Sequence, residues 1–203
     1  MRRENEFLLT LVRGAFRKDG PSSPPVQTAG LDWGRFASLC EWHNMVPHVC
    51  RTLPGVLNGA VPHAAVNRLR GLHQNNTARS LLLATELTRL LQACESSGIP
   101  VYPFKGPALS VMLYGDPACR QSKDLDLLVP KETLHRAMKV LDGRGYRARN
   151  ELAGPRLAAH RRTEYEAAFV RRDGKVGVEL QWAVVPGYFG FDHKALGIWD
   201  RLE

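Results

Sequence analysis

Two acidic residues in the second half of the chain have the type and spacing of metal ligands. Asp124 and Asp126 lie one residue apart in an otherwise apolar segment that ends at Val129. Side chains alternate between the two faces of a β-strand, so we expect both carboxylates on one face and Leu125 and Leu127 on the other. Two carboxylates on one face repel each other and resist desolvation, which calls for a compensating cation. Their oxygens suit a hard divalent ion, Mg²⁺ or Mn²⁺, although a water-exposed acidic strand edge is the alternative.

A third acid occurs in a later strand candidate. Alternation along residues 176–182 places Glu179 opposite the apolar side chains, on the same face as Gly177 and Gln181. If this strand lies beside the first, three carboxylates can hold two metal ions, one activating an attacking oxygen and one binding a triphosphate. The sequence does not fix the register between the strands, and Glu164 and Glu166 are the alternative third acids.

Basic and small residues near the acids are candidates for phosphate binding. Lys105 and Gly106 precede Pro107 at a predicted strand-to-helix junction, where glycine lets backbone N–H groups approach a phosphate. The full P-loop pattern is absent, so an ordinary turn is the alternative. Three further candidates come just before the paired aspartates, where they either contact phosphate or simply solvate the strand: Arg120, Ser122 and Lys123.

Helical periodicity dominates the first hundred residues. We expect helices over residues 7–16, 33–44 and 64–94, with Asp32 as a helix N-cap, a break at residues 45–47 and a further interruption at residues 75–77. The second half predicts the order β-α-β-α-β-β, with strands at 99–104, 125–129, 164–171 and 176–182. Its first helix, to Tyr114, is expected to turn Leu109, Met112 and Leu113 inward.

These elements predict an α+β protein with two parts. Residues 1–97 form a helical region, and residues 98–203 form a small mixed β-sheet with flanking helices.

Composition excludes several classes of protein. The 203 residues are 44% hydrophobic, which argues against disorder, and no apolar run approaches the roughly 18 residues of a membrane helix. The N-terminus lacks the pattern of a signal peptide, so we predict a cytoplasmic protein. The net charge of +8 attracts polyanions without choosing among them. The four cysteines show no metal-site spacing and are expected to be buried free thiols.

Together these segments resemble the uncharacterised nucleotidyltransferase family of the DNA polymerase β-like superfamily. The resemblance covers roughly residues 32–203 and is most specific from Lys105 to Val129. It departs from the superfamily at Gly106, which is followed by proline rather than serine or glycine, and in a longer stretch between Gly106 and Asp124. The matching segments are Glu41–Pro47, Phe104–Pro107, Leu113–Pro117, Arg120, Asp124–Val129 and Val178–Trp182.

The resemblance implies two-metal nucleotidyl transfer from a nucleoside triphosphate (NTP). Asp124 and Asp126 would hold Mg²⁺, Glu179 would bind the second metal or help to deprotonate the acceptor, and Gly106 with Lys105 would bind phosphate. The acceptor hydroxyl would belong to a small molecule, peptide or protein, with nucleic acid less favoured and no membrane partner. The alternatives are a non-catalytic module that binds nucleotide or nucleic acid, and a toxin–antitoxin component. Family members usually continue into a helical C-terminal region, which leaves open whether this chain is C-terminally truncated.

Overall fold

Four helices make up the first half of the chain in the computed structural model, which describes residues 3–16, 28–56, 61–149, 165–186, 190, 197 and 199–202. They are α1 (Arg3–Ala15), α2 (Trp33–Trp42), α3 (Val46–Val56) and α4 (His63–Ser96). Asp32 is the predicted N-cap of α2, since its Oδ1 accepts a hydrogen bond from the Arg35 N–H at 3.0 Å.

Two local predictions in this helical half differ from the structure. The predicted break at residues 45–47 is only a short link, because α3 begins at Val46 with Pro47 in its first turn, where a missing N–H is tolerated. The predicted interruption at residues 75–77 is wrong, because α4 runs unbroken through them. The buried Asn76 side chain donates to the carbonyl oxygen of Ala118 at 2.8 Å. This polar residue therefore links α4 to the segment around Ala118 and does not interrupt the helix.

The second half contains a five-stranded mixed sheet. Its order is β1-β2-β5-β4-β3, in which β2 and β5 are parallel and the other neighbours are antiparallel. Helices α5 and α6 follow β1 and β2 in the chain. This architecture confirms the predicted α+β class. The bounds are β1 Tyr102–Pro103, α5 Gly106–Tyr114, β2 Asp124–Leu128, α6 Leu134–Gly143, β3 Tyr146–Ala148, β4 Glu166–Arg171 and β5 Gly177–Gln181.

The described chain divides into two compact units. One comprises Met1–Leu81 and Tyr114–Gln121, and the other comprises Leu82–Leu113 and Ser122–Glu203. The first unit has its own apolar core, in which the Phe7 ring lies 4.9 Å from Phe36 and 5.7 Å from Trp33. None of the helices in the described ranges is long and apolar enough to cross a membrane.

One face of the sheet forms the core of the second unit. The predicted alternation is confirmed, because Leu125 and Leu127 of β2 and Val178 and Leu180 of β5 are buried on this face. They pack with α4 and α6, so burial of this face fixes which side chains the opposite face presents. The residues of this cluster include Leu83, Leu87, Leu90, Leu125, Leu127, Leu134, Leu141, Val178 and Leu180.

Helix α5 buries different residues from those predicted. Met112 is 74% exposed and Leu113 is 56% exposed, whereas Gly106, Pro107 and Ser110 are buried. The first turn of the helix, which begins at Gly106, lies against the sheet. This contact, and not the hydrophobicity of the side chains, decides which residues of α5 are buried.

The cysteines are free thiols, as predicted, although only two of them are fully buried. Cys40 and Cys94 are buried, while Cys50 and Cys119 are partly exposed. Burial raises the pKa of the Cys40 thiol to about 12, which is the behaviour of an unreactive core cysteine.

Candidate active site

The parallel pairing of β2 with β5 brings the acidic residues together on the face opposite the core. Asp126 lies directly across from Glu179, and Asp124 lies across from Gly177. Asp126 is only 7% exposed, whereas Asp124 and Glu179 are partly exposed. The register that the sequence left open therefore puts the two carboxylates of neighbouring strands side by side.

A fourth acid shares this face. Glu166 of β4 pairs with Gln181 of β5, and Ala168 pairs with Glu179, so Glu166 lies one position further along the acidic face. Glu164, the other alternative third acid, lies outside the described residues. Among the described candidates, Glu179 and not Glu166 is therefore the acid that pairs with Asp126.

The crowding of negative charge is visible in the pKa of Glu179. Burial is the largest cause that raises the pKa of this carboxyl above its ordinary value. The charges of the neighbouring acids raise the pKa further: Glu166, Asp124 and Asp126. A positive charge beside Glu179 would offset both causes.

Lys105 supplies one positive charge from the loop between β1 and α5. Its Nζ donates to Oδ1 of Asp126 at 3.0 Å and lies 4.9 Å from the ring centre of Phe104. Burial lowers the pKa of Lys105, but the bond to Asp126 and the charges of Asp126 and Glu179 more than reverse this, so its pKa lies above the usual value. Lys105 is therefore a charged partner of the acidic face.

Gln181 is a residue of the site that the sequence interpretation missed. Its Nε2 donates to Oδ1 of Asp126 at 3.3 Å and to Oε2 of Glu179 at 3.4 Å. The side chain is only 1% exposed, so one amide links the carboxylates of two strands. The available signal was alternation, which placed Gln181 on the acidic face two residues after Glu179.

Gly106 brings the start of α5 against the start of β2. Its φ is +58°, in the left-handed region that favours glycine, and a Cβ there would lie 3.3 Å from the backbone oxygen of Asp124. The hydroxyl oxygen of Ser122 would lie 4.0 Å from the same Cβ. The N-terminus of α5, a position at which backbone N–H groups can bind an anion, therefore lies beside the first aspartate.

The remaining predicted phosphate contacts belong to both compact units. Ser122 and Lys123 directly precede β2 in the second compact unit, and Lys123 is exposed. Arg120 belongs to the first unit, where it caps the C-terminus of the 3₁₀ helix Pro117–Cys119.

The acidic face has the donor chemistry of a magnesium site without being assembled as one. Among the residues that the structure describes, no group of three His, Cys, Asp or Glu side chains is arranged to hold a metal ion. Asp126 and Glu179 are instead bonded to donors of their own chain. Carboxylate oxygens are nevertheless the ligands that Mg²⁺ and Mn²⁺ prefer, so the residues present fit such an ion by type.

Comparison with known proteins identifies the family. No curated protein matches the sequence. Among solved structures, a crystal structure of ANT(2″)-Ia in complex with adenylyl-2″-tobramycin is similar at 20% identity with a TM-score of 0.37. The alignment covers 50% of this chain and 52% of that one, so the chain spans about half the length of this neighbour. A model of a family described as uncharacterised nucleotidyltransferase matches residues 29–203, and the chain therefore belongs to that family, as the residues from Lys105 to Val129 predicted.

Proposed function

We propose that the protein is a Mg²⁺-dependent nucleotidyltransferase that moves a nucleoside monophosphate group from an NTP to a hydroxyl group of a small molecule, peptide or protein. The observation that carries the proposal is the in-register pairing of Asp126 with Glu179, with Asp124 on the same face of the sheet. Family membership supports the reaction class. We infer a cytoplasmic location from the NTP substrate.

In this proposal Asp124, Asp126 and Glu179 are the metal ligands. The bound ion supplies charge neutralisation at the triphosphate and lowers the pKa of the acceptor hydroxyl. Gly106, at the N-terminus of α5, binds phosphate oxygens through backbone N–H groups, and Lys105 binds them through its ammonium group.

The reaction is an in-line displacement at the α-phosphorus. The acceptor oxygen forms the new P–O bond, the bond between the α-phosphorus and the bridging oxygen breaks, and pyrophosphate leaves with that electron pair. As the alternative to binding a metal ion, Glu179 would help to take the proton of the acceptor hydroxyl, which otherwise passes to water. Most of the rate enhancement comes from positioning and from charges fixed in advance.

A non-catalytic binding module is the second candidate, favoured by the net charge of +8. A protein of that kind would bind RNA or DNA with a steep dependence on salt concentration and without any dependence on a divalent metal. Binding titrations at several salt concentrations, with Mg²⁺ and with EDTA, separate the two candidates.

The first experiment is thermal unfolding with each of the four NTPs, in Mg²⁺ and in EDTA. A ligand at a hundred times its Kd should stabilise the protein by about 2.7 kcal/mol. We expect one NTP to raise the Tm only with Mg²⁺, and the Asp124→Asn/Asp126→Asn variant to lose that rise.

The matched control is Glu132→Gln/Asp142→Asn, which removes two exposed carboxylates, one shortly before α6 and one within it. This variant should keep the Mg²⁺-dependent rise. No rise in the wild-type protein with any NTP, or the same rise in EDTA, would overturn the proposal.

A further inference from the structure

One oxygen atom of the acidic face already has two donors from its own chain. Oδ1 of Asp126 accepts a hydrogen bond from Nζ of Lys105 at 3.0 Å and from Nε2 of Gln181 at 3.3 Å. The Asp126 side chain is 8% exposed, so these contacts replace most of its hydration. A metal ligand in the proposed function is therefore already satisfied in the metal-free chain.

The two donors differ in how easily they can leave. The Gln181 side chain is 1% exposed and is held between Asp126 and Glu179. The Lys105 side chain is 47% exposed, and its ammonium group ends a flexible four-carbon chain. Lys105 is thus the partner that can exchange Asp126 for another anion without disturbing the sheet.

The position of Lys105 also offers it a second anion. It directly precedes Gly106, the first residue of α5, whose N-terminus lies beside the start of β2. A triphosphate bound at this N-terminus would lie within reach of the Lys105 side chain. A divalent ion at Asp126 would repel the ammonium group that now lies against the same carboxylate.

We propose that Lys105 is an exchangeable counter-ion, which occupies Asp126 in the metal-free protein and moves to the triphosphate when metal and nucleotide bind together. Lys105 then makes the affinity for metal depend on nucleotide. Metal alone must displace the ammonium group into water, whereas metal with nucleotide gives that group a new anionic partner. Binding linkage is reciprocal, so the metal also raises the affinity for nucleotide by the same factor. This inference rests on the proposed function.

The test measures Mn²⁺ affinity from the electron paramagnetic resonance signal of free Mn²⁺. Titrations are made without nucleotide and with a non-hydrolysable α,β-methylene analogue of the NTP that raises the Tm. The variants are Lys105→Met, which removes the charge, and Lys105→Arg, which keeps it. Lys139→Met, an exposed lysine of α6, is the control for an equal change in net charge.

We expect Lys105→Met to bind Mn²⁺ without nucleotide about tenfold more tightly than the wild type, since one charge-assisted hydrogen bond no longer has to be given up. The ratio of Mn²⁺ affinities with and without the analogue should fall in Lys105→Met. It should stay near the wild-type ratio in Lys105→Arg and in Lys139→Met. Circular dichroism checks folding, and Lys105→Gln replaces Lys105→Met if the latter is unfolded.

Unchanged or weaker Mn²⁺ binding by Lys105→Met, with the wild-type ratio retained, would overturn the inference and leave the proposed function standing. Absence of nucleotide-dependent Mn²⁺ binding in the wild-type protein would overturn the proposed function itself. The wild-type titration therefore tells the two failures apart.

Discussion

Two buried carboxylates in the sheet-bearing unit are neutralised in different ways. Glu86 of α4 accepts hydrogen bonds from the Tyr146 hydroxyl at 3.1 Å and from Nη1 of Arg171 at 2.8 Å. Arg171 in turn forms two bonds to Asp173, at 3.0 Å and 2.7 Å. Asp126, on the opposite face of the sheet, is bonded instead to Lys105 and Gln181.

The cation is the main difference between these two carboxylates. Arg171 is 18% exposed and its planar group is fixed by carboxylates on two sides, whereas Lys105 is 47% exposed with one carboxylate bond. Arg171, unlike the exposed Arg89 whose Nη1 lies 3.6 Å from Glu86, cannot move away without breaking its bonds to Asp173. Lys105 can leave Asp126 by breaking one carboxylate bond. The comparison indicates that burial of a charge serves stability at Glu86 and leaves Asp126 available for a ligand.

The comparison is tested most strongly at Asp126. We expect Asp126→Asn to lower the rate of nucleotidyl transfer by about a thousandfold, because a carboxylate ligand of the proposed metal ion is removed. The free energy of unfolding should not fall appreciably, since the neutral amide no longer repels Glu179 and the Lys105 side chain of the lost ion pair is 47% exposed. Pyrophosphate release and urea denaturation measure the two quantities. A large loss of stability in Asp126→Asn without loss of activity would show that Asp126 has a structural role and is not a metal ligand.

The opposite result is expected at Glu86. Glu86→Gln removes the anionic acceptor that Arg171 and the Tyr146 hydroxyl share and leaves Arg171 with Asp173, which should reduce the free energy of unfolding by about 2 kcal/mol. The Mg²⁺-dependent Tm rise with NTP should persist in the folded variant. Glu95→Gln, an exposed acid of the same helix, is the control and should match the wild type in urea. Equal unfolding free energies for Glu86→Gln and Glu95→Gln would contradict a structural role for Glu86.

A smaller effect is expected from the hydroxyl of Tyr146. Burial raises the pKa of this hydroxyl well above its usual range, so it stays protonated and donates to Glu86. Tyr146→Phe keeps the buried ring and removes one hydrogen bond, which should reduce the free energy of unfolding by about 1 kcal/mol. Combining it with Glu86→Gln should cost less than the sum of the two single changes, because both weaken or remove the same bond. Strict additivity would show that the bond contributes nothing.

The smallest effect concerns acid pH. The hydrogen bond from Arg171 lowers the pKa of the Asp173 carboxyl from 3.8 to about 2. The contribution of ionised Asp173 to the stability of the folded state is therefore present above pH 3.8 and is lost as the pH falls toward 2. We expect the unfolding free energy to fall over this window, and to fall less steeply in Asp173→Asn. Identical pH profiles for the two proteins, measured by urea denaturation, would exclude this contribution.

Periodicity predicted the faces of the sheet but not its pairing. Alternation placed Leu125 and Leu127 in the core and Asp124 and Asp126 opposite them, since burial of one face decides a strand's orientation. It missed β3, because a three-residue edge strand carries too short a pattern to stand out from a loop. It also favoured inward positions in α5 by hydrophobicity, whereas contact of its first turn with the sheet decides them.

The sequence predicted which residue types form the candidate site. It did not predict how those residues are arranged in space. The neighbour of Asp126 depends on which strands pair and in what register, and those are outcomes of tertiary packing. Gln181 illustrates the limit, because an amide between two carboxylates has no signature in its own sequence neighbourhood. The roles of the acids, of Lys105 and of Arg120 remain predictions.

The close approach at Gly106 also restricts how this gene can change. Every single-nucleotide change that alters a glycine codon introduces a residue with a Cβ or a stop signal. At Gly106 any Cβ meets the backbone of Asp124 at 3.3 Å on a left-handed φ, whereas at Gly71 and Gly143 it meets nothing within 4 Å. Gly71 and Gly143 can therefore be replaced by single mutations without a steric clash. Every single mutation of Gly106 that changes the residue instead introduces a strained side chain beside the first aspartate.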